Sequence, residues 1–337
     1  MRKVSFYILL AIVLFATACQ NPDNKTKKPD NGSDYPEYTS ELTKHILANP
    51  DDANALFERA VNLFDHGDDS LAYLDIKKTI ELAPDNSVYY LAYGEIAYRN
   101  NEIADAQTAI KHAIELDPKF KEAYLRLARI QFDLKDFNAC NKTLETLSLK
   151  VGELPDSYFI FGLIKKELGD TSSAIANFRK TVALDNDYFD AYMQLGLLFG
   201  AQKNKLGIDY LNNAVRIHEN STEALYARGK LYQDLGAYKN ATEDYDRIVT
   251  LNPDYAAAYY NVGWINFRVE HFERAIEYFN KAVIADEEYA DAYYMRGLSY
   301  QALGNNSEAR RNYQACLKLN PEHKLAGEMM QLISSNP

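Results

Sequence analysis

Residues 255–321 read YAAAYYNVGWINFRVEHFERAIEYFNKAVIADEEYADAYYMRGLSYQALGNNSEARRNYQACLKLNP. One pattern occurs here twice, about 34 residues apart. Tyr259 and Gly263 in the first copy become Tyr293 and Gly297 in the second, and Ala275 and Phe279 become Ala309 and Tyr313. Apolar residues three and four positions apart mark amphipathic helices. Gly304 inside the second copy and Pro321 after it punctuate two helices per copy. Such a pair is too thin to bury its own apolar face, so copies must stack on neighbours.

The pattern continues upstream, with units at 53–86, 87–120, 121–154, 155–188, 189–221, 222–255, 256–289 and 290–323. A small residue recurs in the first helix (Ala60, Gly94, Ala128, Gly162, Gly196, Gly229, Gly263, Gly297). A second recurs in the second helix (Ala72, Ala106, Cys140, Ala174, Gly207, Ala241, Ala275, Ala309). Both permit close helix approach. Gly67, Gly169, Gly236 and Gly304, with Asn101, suit a left-handed helix end. Tyr188, Tyr255 and Tyr289 suit a hydrophobic staple ahead of the next helix. Residues 38–52 supply an N-terminal half-repeat helix, and 324–337 a capping helix and tail. The unit 189–221 is one residue short, with Gly200 and Gly207 around a polar turn, a spacing that alters the local pitch or is neutral loop drift.

With this period and these small positions, the chain resembles the tetratricopeptide repeat (TPR) family. The resemblance implies an all-α, right-handed superhelical solenoid of about eight helix pairs. It also implies that first helices line a concave groove that holds protein segments. Carried over position by position, the groove would present Phe57, Leu91, Leu125, Phe159, Tyr226, Tyr260 and Tyr294 in one stripe. Val61, Arg129, Leu163, Lys230 and Trp264 follow one turn on, then Phe64 and Tyr98. Glu122, Asp156, Asp190, Glu223 and Asp291 make one margin acidic. Of the residue types some family members use to clamp a C-terminal carboxylate, only Lys230 and Asn261 occur at these stripes.

One internal correlation stands apart. The residue before the small position is arginine in three units, and sixteen residues later the same units carry Asp75, Asp244 and Asn312. Arg59–Asp75 and Arg228–Asp244 are therefore expected to be structural ion pairs, because an unpaired buried guanidinium is unfavourable.

The N-terminus reads as an address. Arg2 and Lys3 precede an apolar run at 6–15, too short to span a bilayer. Residues 16–19 (ATAC) resemble the bacterial lipobox, which implies a signal peptide over 1–18 and lipidation of Cys19, with Gln20 favouring the outer membrane. The same residues also fit A-x-A cleavage, leaving a soluble periplasmic or secreted protein. Residues 19–37 carry no periodicity and read as a disordered tether.

Thirty-seven basic residues against 48 acidic ones, a formal charge of −11, argue against nucleic-acid binding. The six histidines are scattered, and no H-E-x-x-H, Walker, Rossmann or G-x-S-x-G pattern occurs. No catalytic residue, metal or cofactor is expected, and Cys140 and Cys316 read as inert packing thiols. The sequence thus points to a non-enzymatic, lipid-anchored adaptor of the bacterial cell envelope that binds proteins or peptides. Glycan or peptidoglycan binding through the aromatic stripes is the alternative.

Overall fold

The computed structural model describes residues 35–335, which contain eighteen α-helices, one short 3-10 turn and no strand. The expected signal peptide, Cys19 and most of the expected tether lie outside the described residues. The chain divides into two compact units at Ala123/Tyr124.

The N-terminal unit holds the 3-10 turn Glu37–Thr39 and helices α1 (Ser40–Ala48), α2 (Ala53–Asp65), α3 (Asp69–Leu82), α4 (Ser87–Arg99) and α5 (Ile103–Leu116). Helices α2 with α3, and α4 with α5, pair as hairpins, and α3 packs on α4. Helix α1 lies on α2. Residues 35–37 do not behave as tether. The Arg59 guanidinium lies 3.6 Å from the Tyr35 ring centroid, and the Tyr35 hydroxyl donates to Asp75 at 2.9 Å. A ring beside a cation and a carboxylate is a strong local tie.

Helix α6 (Lys121–Asp133) begins just before the division. The C-terminal unit continues with α7 (Phe137–Val151), α8 (Pro155–Glu167), α9 (Thr171–Leu184), α10 (Phe189–Ala201) and α11 (Leu206–Ile217). Then come α12 (Thr222–Asp234), α13 (Tyr238–Leu251), α14 (Ala256–Arg268), α15 (Phe272–Ala285), α16 (Ala290–Ala302), α17 (Asn306–Leu319) and α18 (Lys324–Ser335). From α8 onward each helix packs on its sequence neighbours. Cys140 Sγ to Ala128 O at 3.1 Å and Thr143 to Gln131 at 2.8 Å tie α7 to α6.

The small positions explain why these hairpins close. A Cβ on Gly162 would lie 2.5 Å from the Phe178 ring, and one on Gly263 would lie 2.7 Å from Phe279. Those rings, with Tyr245 and Tyr313, are fully buried. The chain uses glycine wherever the facing residue of the second helix is a ring, whereas Ala60 faces Ile76 and Ala128 faces Leu144 in the same register. Helix ends follow from capping. Asp52 and Asp170 accept the Ala55 and Ser173 N–H groups at 3.1 Å each. At the other end Gly67, with φ +86°, lets the Asp68 N–H reach Leu63 O at 2.9 Å.

Helix α18 completes the stack by burying Ala326 and Ile333, the latter against Ala309 and Tyr313. No helix among the described residues is long and apolar enough to cross a membrane.

Candidate functional site

The three arginines occupy one structural role. Arg59 grips Asp75 through Nε at 2.6 Å and Nη2 at 2.8 Å, with both side chains buried. Arg228 grips Asp244 at 2.9 and 2.6 Å. Arg296 donates to the neutral Asn312 at 2.6 Å. The remaining Nη1 of each reaches backwards by sixteen residues as well, to Thr43 at 3.1 Å, Asn212 at 3.0 Å and Asn280 at 2.6 Å. Each guanidinium therefore joins its own hairpin to the helix before it. Bonding to Asp244 holds Arg228 above its ordinary pKa despite burial, whereas burial pulls Arg296, which lacks a carboxylate, below it.

In the N-terminal unit, Phe57 and Val61 are half-buried on α2, and Phe57 stacks on Tyr89 at 4.7 Å. Phe64 lies beneath the Arg99 guanidinium, and Tyr98 is half-buried. Leu91 is only 4% exposed, so it packs the hairpin and does not line a surface.

In the C-terminal unit the stripe is built from ring triads. Tyr226 lies 6.0 Å from Tyr245 and 5.7 Å from Tyr255, and Tyr260 lies 5.7 Å from Phe279 and 5.0 Å from Tyr289. Tyr294 lies 6.0 Å from Tyr313 and 4.8 Å from His323. Each stripe ring is held between a ring of its own second helix and the ring preceding the next first helix. Tyr188, Tyr255 and Tyr289, expected as staples, thus pack backwards onto the preceding stripe. Phe159 belongs to the same scheme, between Phe178 and Tyr188, but it is 6% exposed and offers no surface. Tyr226, Tyr260 and Tyr294 stay half-buried. Burial pushes the Tyr260 hydroxyl up to about 12, so it remains a neutral donor across physiological pH.

Leu125, Arg129 and Leu163 are half-buried on α6 and α8. Trp264 is half-buried, with its ring edge-on to Tyr238 at 6.3 Å and Arg268 over it at 5.6 Å. Both clamp candidates already have partners. Lys230 Nζ lies 3.4 Å from Asp234, and the buried Asn261 amide donates to the Tyr226 hydroxyl at 3.2 Å and to Ala257 O at 2.9 Å. Among the described residues, no three His, Cys, Asp or Glu side chains gather as a metal set. Cys140 and Cys316 are free and buried.

A cavity of about 420 Å³ opens beside Tyr226, lined among others by Met193, Gly200, Leu231 and Lys230. The signal for it in the sequence is the paired glycines of the shortened unit, which sequence reasoning reads as a change of pitch or neutral loop drift.

Sequence profiles of the tetratricopeptide repeat match residues 97–156, 155–188, 226–292 and 290–323, together more than half of the chain. Tetratricopeptide repeat protein 6 of Homo sapiens is 28% identical over 188 residues, 52% of this chain. A TPR repeat-containing protein of Methanocaldococcus jannaschii is 26% identical over 196 residues, 57% of this chain. The chain spans 34% and 29% of those relatives' own lengths. Among solved structures, the C-terminal part of a TPR repeat-containing protein from Cytophaga hutchinsonii aligns with a TM-score of 0.61 at 21% identity. That alignment covers 71% of this chain and 99% of that one. Matched repeat profiles, helix hairpins closed on small residues and this likeness of fold agree: the chain belongs to the tetratricopeptide repeat family.

Proposed function

We propose that this protein is a non-enzymatic adaptor, anchored by lipid at Cys19 in a bacterial cell envelope, that holds segments of other proteins against its first-helix stripes. The observation that carries this reading is the row Tyr226, Tyr260 and Tyr294. Each ring is fixed between two others and stays only half-buried. Rings already immobilised lose little rotamer freedom on binding, and half-buried aromatics are the residues on which interface energy concentrates. Anchoring adds a second contribution, since tethered sites raise the local concentration of partners.

The test is photo-crosslinking in cells from a benzophenone residue at Leu298, beside this row. Trp264→Ala combined with Tyr260→Ala is expected to lower protein capture at least tenfold, and unchanged capture overturns the groove. Adducts with cell-wall glycan in place of protein would select the glycan reading. Anchoring is tested separately. Cys19→Ser should abolish incorporation of an alkyne fatty acid and release the chain from the membrane fraction, and release without any prior labelling counts against the lipid.

A further inference from the structure

The 420 Å³ cavity beside Tyr226 has a cause in the repeat pattern. Gly200 lies four residues after the small position Gly196, where other units carry Phe64, Tyr98, Phe132 and Phe267. In two of those units the ring packs on the first residue of the second helix: Phe132 on Phe137 at 5.8 Å and Phe267 on Phe272 at 5.5 Å. Here both rings are missing, and α11 begins with Leu206. Leu231 of α12 leans toward the two glycines, 3.6 Å from a Cβ at Gly200 and 2.8 Å from one at Gly207, and the hollow that remains beside Gly200 is bordered by Met193 and Leu211. Its size falls within the range of about 300–1,000 Å³ typical of ligand pockets.

The mouth is charged asymmetrically. Asp234 and Lys230 neutralise each other at 3.4 Å, while Glu223 is exposed and carries no ion pair or hydrogen bond among the described residues. Tyr226 and Tyr255 border the same opening, which continues the cavity into the aromatic row.

The geometry points to a socket for a single bulky apolar side chain of a partner segment that carries lysine or arginine next to it. The incoming side chain packs beside Gly200, and its basic neighbour meets Glu223. This rests on the groove reading above and names the chemistry of the segment the groove takes.

Fluorescein-labelled twelve-residue peptides with a central Phe, flanked by Lys or by Glu, test the socket on the full chain by anisotropy. The Lys-flanked peptide should bind, and exchange of its Phe for Ala or its Lys for Glu should weaken binding at least tenfold. Gly200→Phe, which restores the ring, should abolish binding. Gly200→Ala should retain it, since a Cβ there meets nothing closer than Leu231 at 3.6 Å. Glu223→Lys should reverse the charge preference. Full binding to a Gly200→Phe protein with wild-type helicity overturns the socket, as does equal binding of the Glu-flanked peptide or no binding of either. Should Gly200→Phe fold poorly, a benzophenone at the central position of the Lys-flanked peptide decides. Adducts on Met193 or Leu231 support the socket and adducts elsewhere overturn it. Each of these failures leaves capture near Trp264 unaffected, so the groove itself is judged independently.

Discussion

Arg296 donates through Nη1 to Asn280 Oδ1 at 2.6 Å, across sixteen residues that separate two successive hairpins. On its other side it reaches Asn312, so a half-buried cation is hydrogen-bonded by two amides and no carboxylate. Burial lowers its pKa, and the Glu308 charge with the neighbouring Tyr293 and Tyr300 only partly opposes it. Asn312→Asp should recreate the arrangement at Arg228. A charge-assisted bond exceeds a neutral one by about 1 kcal/mol, and the apparent melting midpoint should rise by about 2–4 °C at pH 7. A midpoint that falls contradicts this.

The glycine–ring register predicts an ordered series. Gly162→Ala should destabilise by about 1–3 kcal/mol through overpacking, outweighing the gain of about 1 kcal/mol in helix propensity. Gly229→Ala should be milder, since its Cβ would lie 3.0 Å from the Tyr245 ring and not 2.5 Å. Adding Phe178→Ile to Gly162→Ala copies Ala60 over Ile76 and should recover part of the loss in urea denaturation.

Lys135 and Glu270 adopt φ of 58° and 61°, the left-handed conformation that glycine fills in other units. Side chains there cost about 1 kcal/mol each. Lys135→Gly and Glu270→Gly should each stabilise by about 0.5–1 kcal/mol, measurable as a higher urea midpoint with an unchanged slope.

Burial raises the Asp190 pKa, and the Arg129 and His218 charges only partly oppose it. A carboxyl whose folded pKa exceeds its unfolded value stabilises the fold at low pH and loses that contribution as pH climbs through the folded value. Asp190→Asn should therefore raise the melting temperature at pH 7, with the difference vanishing near pH 3. An equal difference at both pH values would assign the effect to packing.

Burial pushes the Cys140 thiol up to about 12 and Cys316 up to about 11. Neither should react with iodoacetamide at pH 8 in the native protein, and both should label fully in 6 M guanidinium. Native labelling at the global-unfolding rate fits this account, and faster labelling contradicts it.

Much of the fold was legible because its constraints are steric. A Cβ cannot coexist with Phe178 or Phe279, so Gly162 and Gly263 had to be small, and the period follows from them. The Arg59 and Arg228 partnerships surfaced because both members change together at a fixed spacing of sixteen. Their backward partners did not, since Thr43, Asn212 and Asn280 share acceptor chemistry but not identity. Left-handed Lys135, Lys203 and Glu270 gave no signal in residue type, because helix-end hydrogen bonds from Asp136 to Gln131 O, Asn204 to Phe199 O and His271 to Asn266 O hold a backbone their side chains disfavour. Leu91 and Phe159 were assigned to an open surface because they share a helical position with Tyr226. Phe159 is buried between Phe178 and Tyr188, pairings that helix periodicity does not encode.

The fit between Gly162 and the Phe178 ring also bears on how such a gene can lengthen or be reshuffled. An exchange whose junction fell inside a hairpin could set an alanine-bearing first helix against an aromatic second helix, and the product would be overpacked and less stable. Junctions between hairpins carry each glycine together with its ring. Inheritance by whole modules, with breakpoints in the loops that follow the second helices, is the mode of growth this interlock tolerates.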